Sequence, residues 1–149
     1  TQGLDKVKRH VEDAVSKGAA LVTGGTSHAL GGTFFTPTVL TGMSREMALF
    51  REETFGPVAG LFKFTDEDEA IEMANDTEFG LAAYVFTENI SRGIRITEAL
   101  EYGIIGLNDG LPCTPQAPFG GFKQSGIGRE GGHYGIEDYL EVKYISLGM

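Results

Sequence analysis

Between Val58 and Asn108 the chain alternates apolar strand-like runs with amphipathic helical patterns, and this alternation restricts the fold more than any other feature. Val58 to Phe64, Leu81 to Phe86 and Ile104 to Asn108 are short apolar runs that read as strands, the first of them buried. The first intervening helix is expected to open at Thr65, with Asp68 three residues on as a capping pair. Asp66, Glu67 and Asp68 suit its first turn, where the helix dipole favours negative charge. It runs to about Ala74, with Ala70, Ile71 and Ala74 inward. Asn89 caps the second helix, in which Ile90, Gly93, Ile94, Ile96, Thr97 and Leu100 share one broad face. Gly93 on that face lets the backbone approach a sheet closely. Strand, helix, strand, helix, strand implies an α/β fold with parallel pairing and right-handed crossovers.

The flanks are less regular. Leu4, Val7, Val11, Ala14 and Val15 repeat at helical spacing, and Gly18 stands where a helix ends on a residue of positive φ. Ala19 to Thr23 is a short strand and Gly24-Gly25 a turn. Phe34 to Leu40 is strand-like, but Pro37 makes it an edge or bulged segment. Met43, Met47 and Phe50 follow Ser44, a usable N-cap, so Ser44 to about Arg51 reads as a short helix. From Asn108 to Tyr134 glycine dominates and apolar periodicity stops, with Phe119 and Phe122 giving this long loop something to bury. Gly135 to Leu140 forms a helical turn or two. Val142 to Leu147 closes as a strand apolar on both faces, which needs cover from both sides.

Composition removes several classes of function. Apolar residues at 41% plus 22 glycines place the chain among folded domains rather than disordered ones. A net charge of −9 disfavours a nucleic-acid partner, because nothing here neutralises a run of phosphates. No apolar run approaches the roughly 20 residues that cross a bilayer. Cys113 is the single cysteine, which excludes a disulfide framework and fits a reducing, cytoplasmic compartment. The opening Thr1-Gln2 shows neither a signal peptide nor an initiator methionine, and reads as a cut inside a longer protein. His10 falls near the apolar edge of the first helix and, without a second metal ligand at a suitable spacing, reads as structural.

The stretch Glu52-Glu53-Thr54-Phe55-Gly56-Pro57 carries the most chemistry. Two carboxylates at a helix C-terminus oppose the dipole there, at a cost of about 0.3–1 kcal/mol each. Such local violations concentrate where function asks for them. Pro57 forces Gly56 to be extended and fixes the exit toward the next strand. Read from the residues alone, the pair is a solvated helix end with Phe55 in the core, or a carboxylate positioned to accept hydrogen bonds from a diol beside an aromatic face. Cys113, flanked by Leu111, Pro112, Thr114 and Pro115, has no base or positive charge nearby to make it a nucleophile, and reads as a small half-buried side chain. Gly126-Ile127-Gly128-Arg129-Glu130-Gly131 spells Gly-x-Gly-x-x-Gly, but no strand leads into it, so it is read as a tight loop and not a dinucleotide turn. Lys123 does not follow its glycines as a P-loop requires.

Glu52 to Pro57 resembles the Glu-Glu-x-Phe-Gly-Pro motif of the aldehyde dehydrogenase superfamily. Pro118 to Glu130 is similar to that family's second C-terminal signature, and Asn75 to Leu81 resembles a third block between them. The likeness covers essentially the whole chain, and its details are most similar to the succinate-semialdehyde dehydrogenases. It implies the C-terminal part of a three-layer, parallel-sheet catalytic domain over residues 1–140 and an oligomerisation strand over 141–149. The cofactor-binding domain lies outside this chain. By the same resemblance Glu53 holds the nicotinamide ribose hydroxyls, Phe55 flanks the nicotinamide and Phe119 borders the substrate tunnel. Cys113 takes the place of a serine that helps hold the substrate carboxylate.

The family's nucleophilic cysteine, general-base glutamate and oxyanion asparagine belong to other motifs, so no catalytic or metal-binding residue is assigned here. The implied function is NAD- or NADP-dependent oxidation of an aldehyde, succinate semialdehyde first, through a thiohemiacetal formed elsewhere, in a homo-oligomer without nucleic-acid or membrane partners. The 149-residue chain by itself is expected to be inactive. Rival readings are a general aliphatic aldehyde dehydrogenase and a non-enzymatic α/β binding or assembly module.

Overall fold

The computed structural model describes every residue from Thr1 to Met149, and the chain divides into two units, Thr1–Thr65 and Asp66–Met149. In the first, helix α1 (Gln2–Ser16) buries Val7, His10, Val11 and Ala14, a stripe at i, i+3, i+4 and i+7. Gly18, at φ +99°, follows the C-cap Lys17 as expected. Strands β1 (Ala20–Thr23), β2 (Thr38–Thr41) and β3 (Val58–Leu61) form one sheet in the order β1-β2-β3. The first pair is antiparallel and the second parallel, so this sheet is mixed.

Pro37 does not make its segment an edge strand. It stands just before β2, which is the central strand, and the ladder begins at Thr38, whose N–H donates to Pro57 O at 2.8 Å. The missing N–H of proline therefore costs the sheet nothing. Val58 to Phe64, expected to be fully buried, is a shorter edge strand with alternating half-burial.

Val11, Ala14, Ala19, Leu40, Met43 and Met47 form the core of this unit, with Phe35, Leu49, Val58 and Phe62 against it. Leu40 is wholly enclosed, so its truncation to alanine costs about 2–5 kcal/mol. The helix expected from Ser44 is only one turn, α2 (Ala48–Arg51). Met47, not Ser44, precedes it, because burying Met43 and Met47 bends Ser44 to Met47 into a turn closed by Met47 N–H to Ser44 O at 3.2 Å. The side-chain cap comes from another helix: Asp13 of α1 accepts the Ala48 N–H at 2.7 Å. The pKa of Asp13 lies below the ordinary carboxylate value, through its bond from Lys17 first and this N–H second.

In the second unit, helix α3 (Glu67–Asn75) is capped by Asp66, whose carboxylate accepts the Glu69 N–H at 2.9 Å; the cap expected at Thr65 is shifted by one residue. Strand β4 (Phe79–Gly80) precedes β5 (Ala82–Val85), α4 (Ile90–Ala99) and β6 (Ile104–Leu107). Strands β5 and β6 pair in parallel across α4, as the alternation of patterns implied. β3 and β5 belong to different sheets, so the parallel pairing expected across α3 does not form. Asn89 caps α4 by accepting the Arg92 N–H at 3.0 Å. Gly93 is buried against β6, where an added Cβ would stand 2.8 Å from Leu107. Glu67 on α3 takes a two-pronged bond from Arg95 on α4, at 3.0 and 2.9 Å.

The glycine-rich loop contains one two-residue strand, β7 (Phe122–Lys123), antiparallel to β4. No helix opens from its Gly-x-Gly-x-x-Gly spelling, and a 3-10 helix (Tyr134–Tyr139) follows. The closing strand expected at Val142 to Leu147 is absent; these residues pair with nothing, and Val142, Tyr144, Ile145 and Leu147 are exposed. A strand exists only through a neighbour's hydrogen bonds, and no edge of this chain supplies them.

Candidate functional site

The motif Glu52–Pro57 lies between α2 and β3 and is held by α1. Glu52 follows α2 with extended backbone. Its carboxylate accepts from Arg9 Nη2 at 2.9 Å and from His10 Nε2 at 3.2 Å, which offsets the unfavourable helix dipole at this end. These two bonds, Arg9 first, hold the Glu52 carboxyl below its ordinary pKa. Thr54 Oγ1 is 3.0 Å from His10 Nδ1, and His10 itself is fully buried. At Gly56 a Cβ would stand 2.4 Å from Val7 Cγ2, so only glycine fits against α1.

The intervening residues behave differently. Glu53 is exposed and its carboxylate has no partner in the chain. Phe55, one of the two readings of which put it in the core, is 89% exposed and adopts φ +43°. A bulky residue at positive φ costs of order 1–3 kcal/mol, and an exposed aromatic forgoes its burial as well. Two rules are thus broken at one side chain, next to an unpartnered carboxylate.

Cys113 and Phe119 line a single cleft of about 510 Å³ in the second unit, together with Ile105, Pro112, Pro118 and Glu130. Cys113 is exposed, contrary to the half-buried side chain expected of it, because Leu111 to Gln116 crosses the surface without regular structure. Phe119 is half-buried and fixed through its backbone: its N–H donates to Glu130 O at 2.6 Å, and Glu130 N–H donates to Phe119 O at 2.8 Å. Phe122, the other aromatic expected to anchor the loop, stays partly exposed beneath the Arg129 guanidinium, which lies 5.6 Å from the ring centroid. Arg129 also donates to Gly121 O at 3.0 Å and Gly128 O at 2.6 Å. Lys123 bonds Asn75 O at 2.9 Å and Thr77 O at 3.1 Å.

Sequence reasoning missed Arg9 behind the motif and Arg129 and Lys123 within the loop. It read His10 as structural, which its burial bears out, without seeing that it braces the motif. The burial was legible, since His10 falls three residues after Val7 and four before Ala14 on the buried stripe. The two basic residues of the loop were a weaker signal, being lone cations among glycines.

No group of three or more His, Cys, Asp or Glu is placed to hold a metal ion, and no helix is long and apolar enough to cross a membrane.

Residues 1–145 match the model of the aldehyde dehydrogenase family. A 3-sulfolactaldehyde dehydrogenase of Pseudomonas putida is 57% identical over 96% of this chain and 29% of its own length. A succinate-semialdehyde dehydrogenase [NADP(+)] of Escherichia coli is 55% identical over 99% of this chain and 31% of its own. The crystal structure of succinate-semialdehyde dehydrogenase from Burkholderia pseudomallei superposes with a TM-score of 0.95 at 56% identity, covering 97% of this chain and 30% of that one. The chain thus spans under a third of the length of these relatives.

Proposed function

The chain belongs to the aldehyde dehydrogenase family, and from that premise we propose that it forms the C-terminal part of an NAD(P)-dependent enzyme oxidising an aldehyde to its acid. The observation that carries the reading is the outward pair Glu53 and Phe55. Phe55 holds an exposed ring on a strained backbone at a cost that a bound ligand would offset, beside a solvent-exposed carboxylate free to accept hydrogen bonds from the same ligand. These groups fit NAD or NADP: Glu53 accepts from the nicotinamide ribose hydroxyls and Phe55 borders the nicotinamide. Bound there, the cofactor supplies the hydride acceptor. This chain contributes placement, while the nucleophile and general base come from residues outside it.

On the substrate side, Phe119 and Cys113 line the cleft that receives the aldehyde. The leading substrate is succinate semialdehyde or a similar aldehyde with an anionic far end. The names of the two relatives support this class, one substrate carrying a sulfonate and the other a carboxylate. A general aliphatic aldehyde is the second reading. It is favoured by the cleft lining, which includes Pro112, Pro115, Ala117 and Phe119 but neither lysine nor arginine.

Residues 1–140 act as part of the three-layer catalytic domain, and 141–149 becomes a strand only on another subunit's sheet, making a cytoplasmic homo-oligomer. Exposed Val142, Tyr144, Ile145 and Leu147 support that role. The test is Glu53→Gln in the full-length enzyme. Single-turnover hydride transfer is expected to slow more than cofactor affinity falls, because a charge-assisted bond of about 1.5–3 kcal/mol fixes position. An unchanged hydride-transfer rate contradicts the assignment.

A further inference from the structure

Glu53 and Phe55 stand outward because their alternate neighbours are gripped from behind, and we infer that His10 is the positioning residue of this motif. The inference rests on the cofactor-facing assignment of Glu53 and Phe55 made above. Three residues of α1 hold every second residue of the motif: Arg9 and His10 hold Glu52, His10 holds Thr54, and Val7 closes against Gly56. His10 alone joins two of these points, and its ring is wholly enclosed, so it has no solvent alternative.

The chemistry of the bridge sets its tolerance. A carboxylate only accepts, so His10 Nε2–H donates to Glu52. In the neutral ring Nδ1 then accepts from the Thr54 hydroxyl, and in the charged ring Nδ1–H donates to it. A hydroxyl serves either way, so both contacts survive a change of protonation. Thr54 lies between Glu53 and Phe55, and fixing its side chain limits rotation of the backbone on both sides. Phe55 reaches φ +43° only because its surroundings impose it. Without the bridge that backbone relaxes toward negative φ, and the Phe55 ring and the Glu53 carboxylate turn away from the cofactor together. A His10 that merely filled the core would change stability and leave the motif's order alone.

The first readout needs no cofactor. In the cofactor-free full-length protein, hydrogen exchange of the peptide spanning residues 50–57 is expected to quicken about tenfold or more in His10→Ala and in Thr54→Val. Thr54→Ser, which keeps the hydroxyl, restores the slow exchange relative to Thr54→Val. The Thr54 variants cover the case in which His10→Ala fails to fold, since Thr54 is only half-buried.

The second readout is single-turnover hydride transfer. His10→Ala and Thr54→Val are expected to slow it roughly 10- to 100-fold with little change in cofactor Kd, as misplacement of about 1 Å does. In a Glu53→Gln background the same changes should add little, because the group they position is already lost. Equal slowing in both backgrounds, or unchanged exchange of the 50–57 peptide in both variants, overturns the role of His10 and leaves that of Glu53 standing. A Glu53→Gln enzyme with wild-type hydride transfer removes the underlying assignment and this inference with it.

Discussion

Gly103, just before β6, has φ in the ordinary negative range, so alanine is acceptable to its backbone, yet its Cβ would stand 1.8 Å from Gly120 O. The other near atoms, Gly120 C at 2.8 Å and Gly121 Cα at 3.0 Å, are also backbone. To reach even a 3.0 Å contact the Gly120 carbonyl must retreat by about 1.2 Å. It has little freedom to do so. Phe119 is paired to Glu130 on one side, and Gly121 O is held by Arg129 at 3.0 Å on the other. Gly103→Ala is therefore expected to cost the loop about 1–3 kcal/mol, the usual range for forced overpacking.

Trypsin reads this locally, because Lys123 and Arg129 lie in the displaced segment and are tied down in the native state. Native-state cleavage follows the population of the open form when closing is fast, so cutting there should quicken roughly 5- to 150-fold. Gly110→Ala is the control, since nothing lies within 4 Å of its added Cβ. Cleavage of Gly103→Ala at the wild-type rate would refute the steric argument and mean that the loop yields freely.

Cys113→Ser in the full-length enzyme should raise selectivity for succinate semialdehyde over an uncharged aldehyde of similar length by roughly 5- to 30-fold, since a hydroxyl donates better than a thiol to a carboxylate; an unchanged ratio of kcat/KM values means Cys113 is far from that group. Removing Val142 to Met149 from the full-length protein should dissociate or precipitate it, and a soluble product of unchanged size on a calibrated column refutes the assembly role. Glu52 has a folded pKa below its ordinary 4.5, so its contribution to stability is complete above that value and disappears as pH falls through the depressed one. Urea midpoints of wild type and Glu52→Gln should therefore converge on acidification below about pH 4.5, and parallel profiles would count against the Arg9 and His10 contacts. The 149-residue chain alone should oxidise no aldehyde with either cofactor, for want of an activated nucleophile and its base. Cysteine-dependent NADH or NADPH production by it would make Cys113 a nucleophile after all.

The sequence by itself determined what depends on near neighbours. Apolar spacing placed α1, α3 and α4, Asn89 marked the start of α4 and Gly18 the end of α1, and Gly93 announced a close approach that proves to be to Leu107. The absence of a strand and helix around Gly126 to Gly131 sufficed to reject a dinucleotide turn, and the spelling of Glu52 to Pro57 and Pro118 to Glu130 carried the family. Tertiary structure decided the rest, because it turns on partners far away in the chain. Apolar alternation says that a stretch is extended but not whose hydrogen bonds it takes, so β3 joins β2 rather than β5, and Val142 to Leu147 is left without a ladder. Nor does local pattern say which of two adjacent carboxylates is free. That was settled by a helix some forty residues earlier, where Arg9 and His10 claim Glu52, His10 and Val7 hold Thr54 and Gly56, and Glu53 and Phe55 are left facing out.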